Sequence, residues 1–99
     1  MRMMVRWSAP VERSNAAIKD GSLPELIQIM TEELQPEAVY FWPENGRRAG
    51  MMIFDMKDSS QTPKIAEPLF MRLDAAVEFV PVMNADDLKA GLENAAAAR

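Results

Sequence analysis

Four side chains in this 99-residue chain have the right types to hold and move a small molecule: Arg6, Tyr40, Trp42 and Glu78. A planar guanidinium grips a carboxylate or phosphate through two parallel N–H groups. Glu78 could orient that cation, Tyr40 or Glu78 could shift a proton, and two rings could form a stacking wall. Much of the usual catalytic repertoire is missing. The chain has no histidine and no cysteine, hence no thiolate nucleophile, no disulfide and no side chain whose ordinary pKa lies near 7. Ser59 and Ser60 lack a base to activate them and read as helix-start residues. No metal site and no cofactor is expected.

These residues can cooperate only if strands bring them onto one face. The dipeptide Asn45-Gly46 is the strongest hairpin signal in the chain, and a two-residue turn there pairs Glu44 with Arg47, Trp42 with Ala49 and Tyr40 with Met51. Because side chains alternate along a strand, Tyr40 and Trp42 then share a face with Met51, Ile53 and Asp55, opposite Val39 and Phe41. A first strand over residues 3 to 8 puts Met4, Arg6 and Ser8 on one face. A last strand in AAVEFVPVM puts Glu78 with Val80 and Val82 on one face, near the same end of the sheet as Arg6. An Arg6–Glu78 pair across adjacent strands is expected. Arg47 and Arg48 point apart on a solvated edge, with Glu44 as the expected counter-ion.

The helices follow from periodicity and caps. VERSNAAIKDG is a helix stopped at Gly21, and SLPELIQIMTEEL is a second, opened by a Ser22/Glu25 capping box with Pro24 in its first turn. A third starts at Asp58 and Gln61 and turns Ile65, Ala66, Leu69 and Phe70 inward, and Pro68 should break or kink it. Asn84 and Asp87 cap a short last helix whose AAAAR tail frays. The order β-α-β-β-α-β-α, with right-handed crossovers, predicts an α+β, ferredoxin-like domain over residues 1–99: one four-stranded antiparallel sheet in the order 4-1-3-2 with helices on one face.

The other face carries the reading about partners. GMMIFDM and AVYFW are apolar at nearly every position, whereas a strand with one wet face alternates. A second copy of the sheet is the economical cover, so a homodimer with sheets face to face is expected. A net charge of −4 opposes nucleic-acid binding, and the six acids without a base between Asp20 and Gly46 read as a solvated helix face. The apolar runs are too short to span a bilayer and Arg6 interrupts any signal-peptide core, so a cytoplasmic protein without a membrane partner is expected. The nine methionines are adaptable core filler.

The segments QPEAVYF, NGRRAGMMIFDMKD, KIAEPLF and VEFVPVMNADDL make the chain similar, nearly end to end, to the dimeric α/β-barrel superfamily, and within it to a group of small bacterial proteins. Some of that group carry the label pantothenate synthetase; this chain is too short for that activity and has no His-x-Gly-His nucleotide motif. The resemblance implies a dimeric barrel. It also implies a range of activities that includes cofactor-free monooxygenases, muconolactone isomerases and haem-degrading enzymes, the last usually needing a histidine ligand. The residues favour a homodimeric small-molecule-binding or interaction protein without turnover. The alternative is a cofactor-free isomerase or monooxygenase acting on a small organic acid or aromatic compound, with Arg6 as the anchor and Tyr40 or Glu78 as the proton carrier.

Overall fold

The computed structural model describes residues 1–98. Eight elements follow one another: β1 (Arg2–Ala9), α1 (Val11–Lys19), α2 (Ser22–Leu34), β2 (Ala38–Glu44), β3 (Arg47–Asp55), α3 (Gln61–Leu73), β4 (Ala76–Pro81) and α4 (Ala85–Ala97). The fold is α+β, with four antiparallel strands in one open sheet and four helices. The strands lie in the order β2-β3-β1-β4, so β2 and β4 are the edges. Pro43 and Pro81, which cannot donate to a ladder, both stand on edge strands.

The hairpin sets the parity of the whole sheet. Asn45 and Gly46 both have positive φ, 51° and 74°, as a two-residue primed turn requires, and Glu44 opposes Arg47. Alternation then sorts β1 cleanly. Met3, Val5, Trp7 and Ala9 are buried, while Arg2, Met4, Arg6 and Ser8 are half-exposed. Met3, Val5 and Trp7 lie opposite Phe54, Met52 and Gly50 on one side and Pro81, Phe79 and Val77 on the other. This face packs with Leu26 and Met30 of α2 and Ile65, Leu69 and Leu73 of α3, forming the core.

Local signals gave way to packing at several points. Ser22 is the first helical residue of α2 rather than its cap, and Gly21 holds the cap position with φ 83°. The expected Ser22/Glu25 box is absent. Asp20 instead accepts a hydrogen bond from the Ser22 N–H at 2.8 Å, and the Ser22 hydroxyl and N–H hold its carboxyl below the ordinary range. α3 runs unbroken through Pro68, because Ile65, Leu69 and Leu73 on either side of the proline are all buried and tertiary packing outweighs the missing bond. Phe70 does not turn inward; it is exposed, and Leu73 fills the expected inner position. The Asn84/Asp87 box forms with both of its bonds. α4 then continues as helix through Ala95–Ala97, where fraying was expected, and Arg99 lies outside the described residues.

Candidate functional site

Arg6, Tyr40 and Glu78 fall in one cross-strand row on the face away from α1–α3. Tyr40 opposes Met51, Met51 opposes Arg6, and Arg6 opposes Glu78. Trp42 stands in the next row toward the hairpin, opposite Ala49. The backbone thus aligns all four predicted residues, but the side chains do not form the predicted group. Arg6 reaches away from Glu78, crosses the Trp42 ring with its guanidinium carbon 5.7 Å from the ring centroid, and donates through Nη2 to Glu44 Oε1. The expected Arg6–Glu78 pair is therefore replaced by Arg6–Glu44. Physically, the long arginine gains a charge partner and a ring face together, where Glu78 offers only charge. Glu78 is exposed and has no hydrogen bond or ion pair among the described residues. Tyr40 is 66% exposed.

An apolar concave site lies on the opposite side of the sheet, under the hairpin end. A cleft of about 540 Å³ opens between the sheet and the helices there. Trp7 and Phe41 form its floor, edge to face with centroids 6.4 Å apart and planes at 69°. Leu23 and Ile27 of α2, Val11 of α1 and Leu73 of α3 form its walls, and Trp42, Pro43, Gly46, Arg47 and Arg48 border it on the hairpin side. Of the predicted site residues only Trp42 borders it, at the hairpin edge, while its ring lies on the open face of the sheet against Arg6. The volume lies within the ~300–1,000 Å³ of ordinary small-molecule sites.

Gly50 makes the aromatic floor possible. A Cβ on Gly50 would stand 2.5 Å from Trp7 Cζ2, 2.9 Å from Cε2 and 3.0 Å from Phe41 Cδ1. Only a hydrogen at that position lets both rings lie against the β3 backbone. The signal was present in the sequence: a lone glycine inside the apolar strand RAGMMIFDM marks a close approach.

The polar side of the cleft is basic. Arg48 Nη1 donates to Ser14 Oγ at 2.8 Å and to Asn15 Oδ1 at 2.7 Å, which ties the hairpin to α1 through a fully buried serine. Both acceptors are neutral, so the Arg48 charge is not cancelled. Arg47 is exposed, and neither arginine meets a carboxylate in an ion pair among the described residues. In a chain of net charge −4, two uncompensated cations stand at the mouth of an apolar cleft. Among the described residues, the ionisable side chains lining it are those two arginines, and no carboxylate lines it.

The far end of the sheet holds a second charged group. Arg2 Nε donates to Glu37 Oε1 at 2.5 Å, and Arg2 Nη1 donates to Asp87 Oδ2 at the start of α4. Asp55 accepts from Lys57 and from the Met1 amine; Lys57 first, then that amine, push its carboxyl down to about 2. Among the described residues there is no cluster of three acids within metal-ligating reach, and no helix is long and apolar enough to cross a membrane. No family model matches the chain, and no curated protein matches its sequence.

Proposed function

We propose that this is a cytoplasmic, homodimeric protein that binds a flat, apolar molecule bearing one anionic group, and that it releases that molecule unchanged. The aromatic-floored cleft with two uncompensated arginines at its mouth carries this reading. Trp7 and Phe41 suit a planar ring system, and a carboxylate at the hairpin rim would meet Arg47 and the charge of Arg48. Among the described residues no carboxylate or imidazole lines the cleft to serve as a general base, which favours binding over turnover.

The homodimer reading draws on the open face of the sheet. In the ferredoxin-like arrangement, Met4, Ala38, Tyr40, Trp42, Met51, Ile53 and Val80 share that face around Arg6 and Glu78. Four strands ~4.8 Å apart and three cross-strand rows make a patch of roughly 400 Å². A patch of that size on a soluble monomer is commonly functional. A second copy laid sheet to sheet, as in a dimeric α/β barrel, would cover it and leave both clefts facing outward.

Tryptophan fluorescence tests the ligand reading, because Trp7 forms part of the cleft floor. Titration with 2-naphthoate should quench or shift the emission, and it should bind about 10-fold tighter than the neutral carbinol of the same ring, as one charge-assisted hydrogen bond implies. Arg47→Ala should erase that difference while leaving the carbinol's affinity alone. Equal binding of acid and carbinol to the wild-type protein would refute the anionic part of the reading. No response to either would refute the cleft as the site.

A further inference from the structure

α4 is the least explained element of the chain. It spans 13 residues, and none of them is buried. Ala85, Leu88, Leu92 and Ala96 fall on one stripe, at i, i+3, i+7 and i+11, yet Leu88 is 47% and Leu92 62% exposed. A helix that packs on its own body turns such a stripe inward. This one extends from the sheet, and the molecule is correspondingly long, 55 × 27 × 18 Å. It is also fixed at its root. The Asn84/Asp87 box closes its first turn, and Asp87 is tied to Arg2, whose side chain belongs to the open face of the sheet. A capped, anchored helix with an idle leucine stripe is built to meet something outside its own chain.

We infer that α4 is a dimer arm, which lays its Leu88/Leu92 stripe on a second copy of this chain at the margin of the paired sheets. The inference rests on the sheet-to-sheet dimer proposed above, and area supports it. Stable dimers bury roughly 800 Å² on each partner. The open sheet face supplies about half of that, roughly 400 Å² by strand spacing. A 13-residue helix is ~20 Å long and ~10 Å across, so its stripe covers ~200 Å². Each copy would bury its own stripe and the surface beneath its partner's. Two exchanged arms therefore add ~400 Å² per copy, the missing half. Because Arg2 holds the root of α4 on the open-face side, the arm continues the surface that the second copy would occupy.

The test is a dilution series followed by sedimentation velocity on the full chain, wild type against the Leu88→Ala/Leu92→Ala double variant. Alanine keeps the helix and its charges while removing the stripe. Far-UV circular dichroism should be unchanged, because α4 buries nothing in its own body. The wild type should dimerise at micromolar concentration and the double variant about 100-fold more weakly. A wild-type dimer with an equally tight variant would overturn the arm and leave the sheet dimer standing. A wild type that is monomeric throughout would overturn both.

Discussion

Gly50→Ala adds one methyl group to the molecule and should cost it more stability than its size suggests. The new Cβ would sit 2.5 Å from Trp7 Cζ2, where ordinary contacts begin near 3.4 Å, so the ring or the strand must move by close to 1 Å. Trp7 is 5% exposed and belongs to the core cluster, so it can retreat only toward the cleft it floors, giving up core contacts as it moves. Phe41, 59% exposed, can yield outward. Overpacking of this kind costs about 1–3 kcal/mol, offset by ~0.5–1 kcal/mol because alanine loses less chain entropy than glycine on folding. The ranges leave roughly 0–2.5 kcal/mol, and the 2.5 Å approach to a buried ring puts Gly50→Ala in the upper half, about 1–2 kcal/mol. For a domain of ~100 residues that lowers Tm by about 5–15 °C. Thermal unfolding followed by circular dichroism measures it, with Gly91→Ala as the control, since nothing lies within 4 Å of a Cβ there. The same variant should weaken naphthoate binding, because the displaced ring moves the floor of the cleft. An unchanged or higher Tm for Gly50→Ala would refute the close approach of the two rings to β3.

Glu44→Gln removes the charge partner of Arg6, a pair about one-third exposed in the single chain, so Tm should change by no more than about 1 kcal/mol's worth. If a second copy covers that face, the same change strands a cation in the interface and weakens the dimer by about 2 kcal/mol, roughly 30-fold; equal dimer constants would place Arg6 outside the interface. Asp55 has a folded-state pKa of about 2 against an ordinary 3.8, so its contribution is fully present above about pH 4 and is lost as pH falls through 2. Carboxyl NMR should show that midpoint, and a midpoint near 3.8 would refute the Lys57 contact. Asp87 is also held below its ordinary value, first by the Asn84 N–H and then by Arg2, so acid should loosen the first turn of α4 in the same direction. Gly46→Ala, at φ 74° in the turn, should destabilise by about 1 kcal/mol without any steric contact, read as a lower urea midpoint.

Much of the architecture was legible because a few residues constrain many others. Asn45-Gly46 settles the turn, the turn settles the register, and the register places Tyr40 and Trp42 opposite Phe41. Likewise Asn84 and Asp87 announce α4. Three things were not legible, each for a physical reason. Register aligns Arg6 with Glu78 but says nothing about where a long, flexible side chain will go, and Glu44 with the Trp42 ring offered more. The cleft draws on β1, the hairpin and three helices, so no local pattern reports it; only Gly50 hinted at it. A leucine stripe reads the same whether it faces its own core or another molecule, so α4 could be recognised as a helix but not as an arm. Phe70 and Pro68 show the converse case, in which packing of Leu69 and Leu73 overrode a reasonable local expectation.

Native mass spectrometry of the full chain incubated with 2-naphthoate reads assembly and cleft occupancy together. The expected species has twice the 11.1 kDa chain mass and carries one naphthoate per chain, with occupancy in Arg47→Ala reduced to that of the neutral carbinol. Bare monomers at micromolar concentration, or dimers that never take up the probe, would contradict the proposed ligand-binding homodimer.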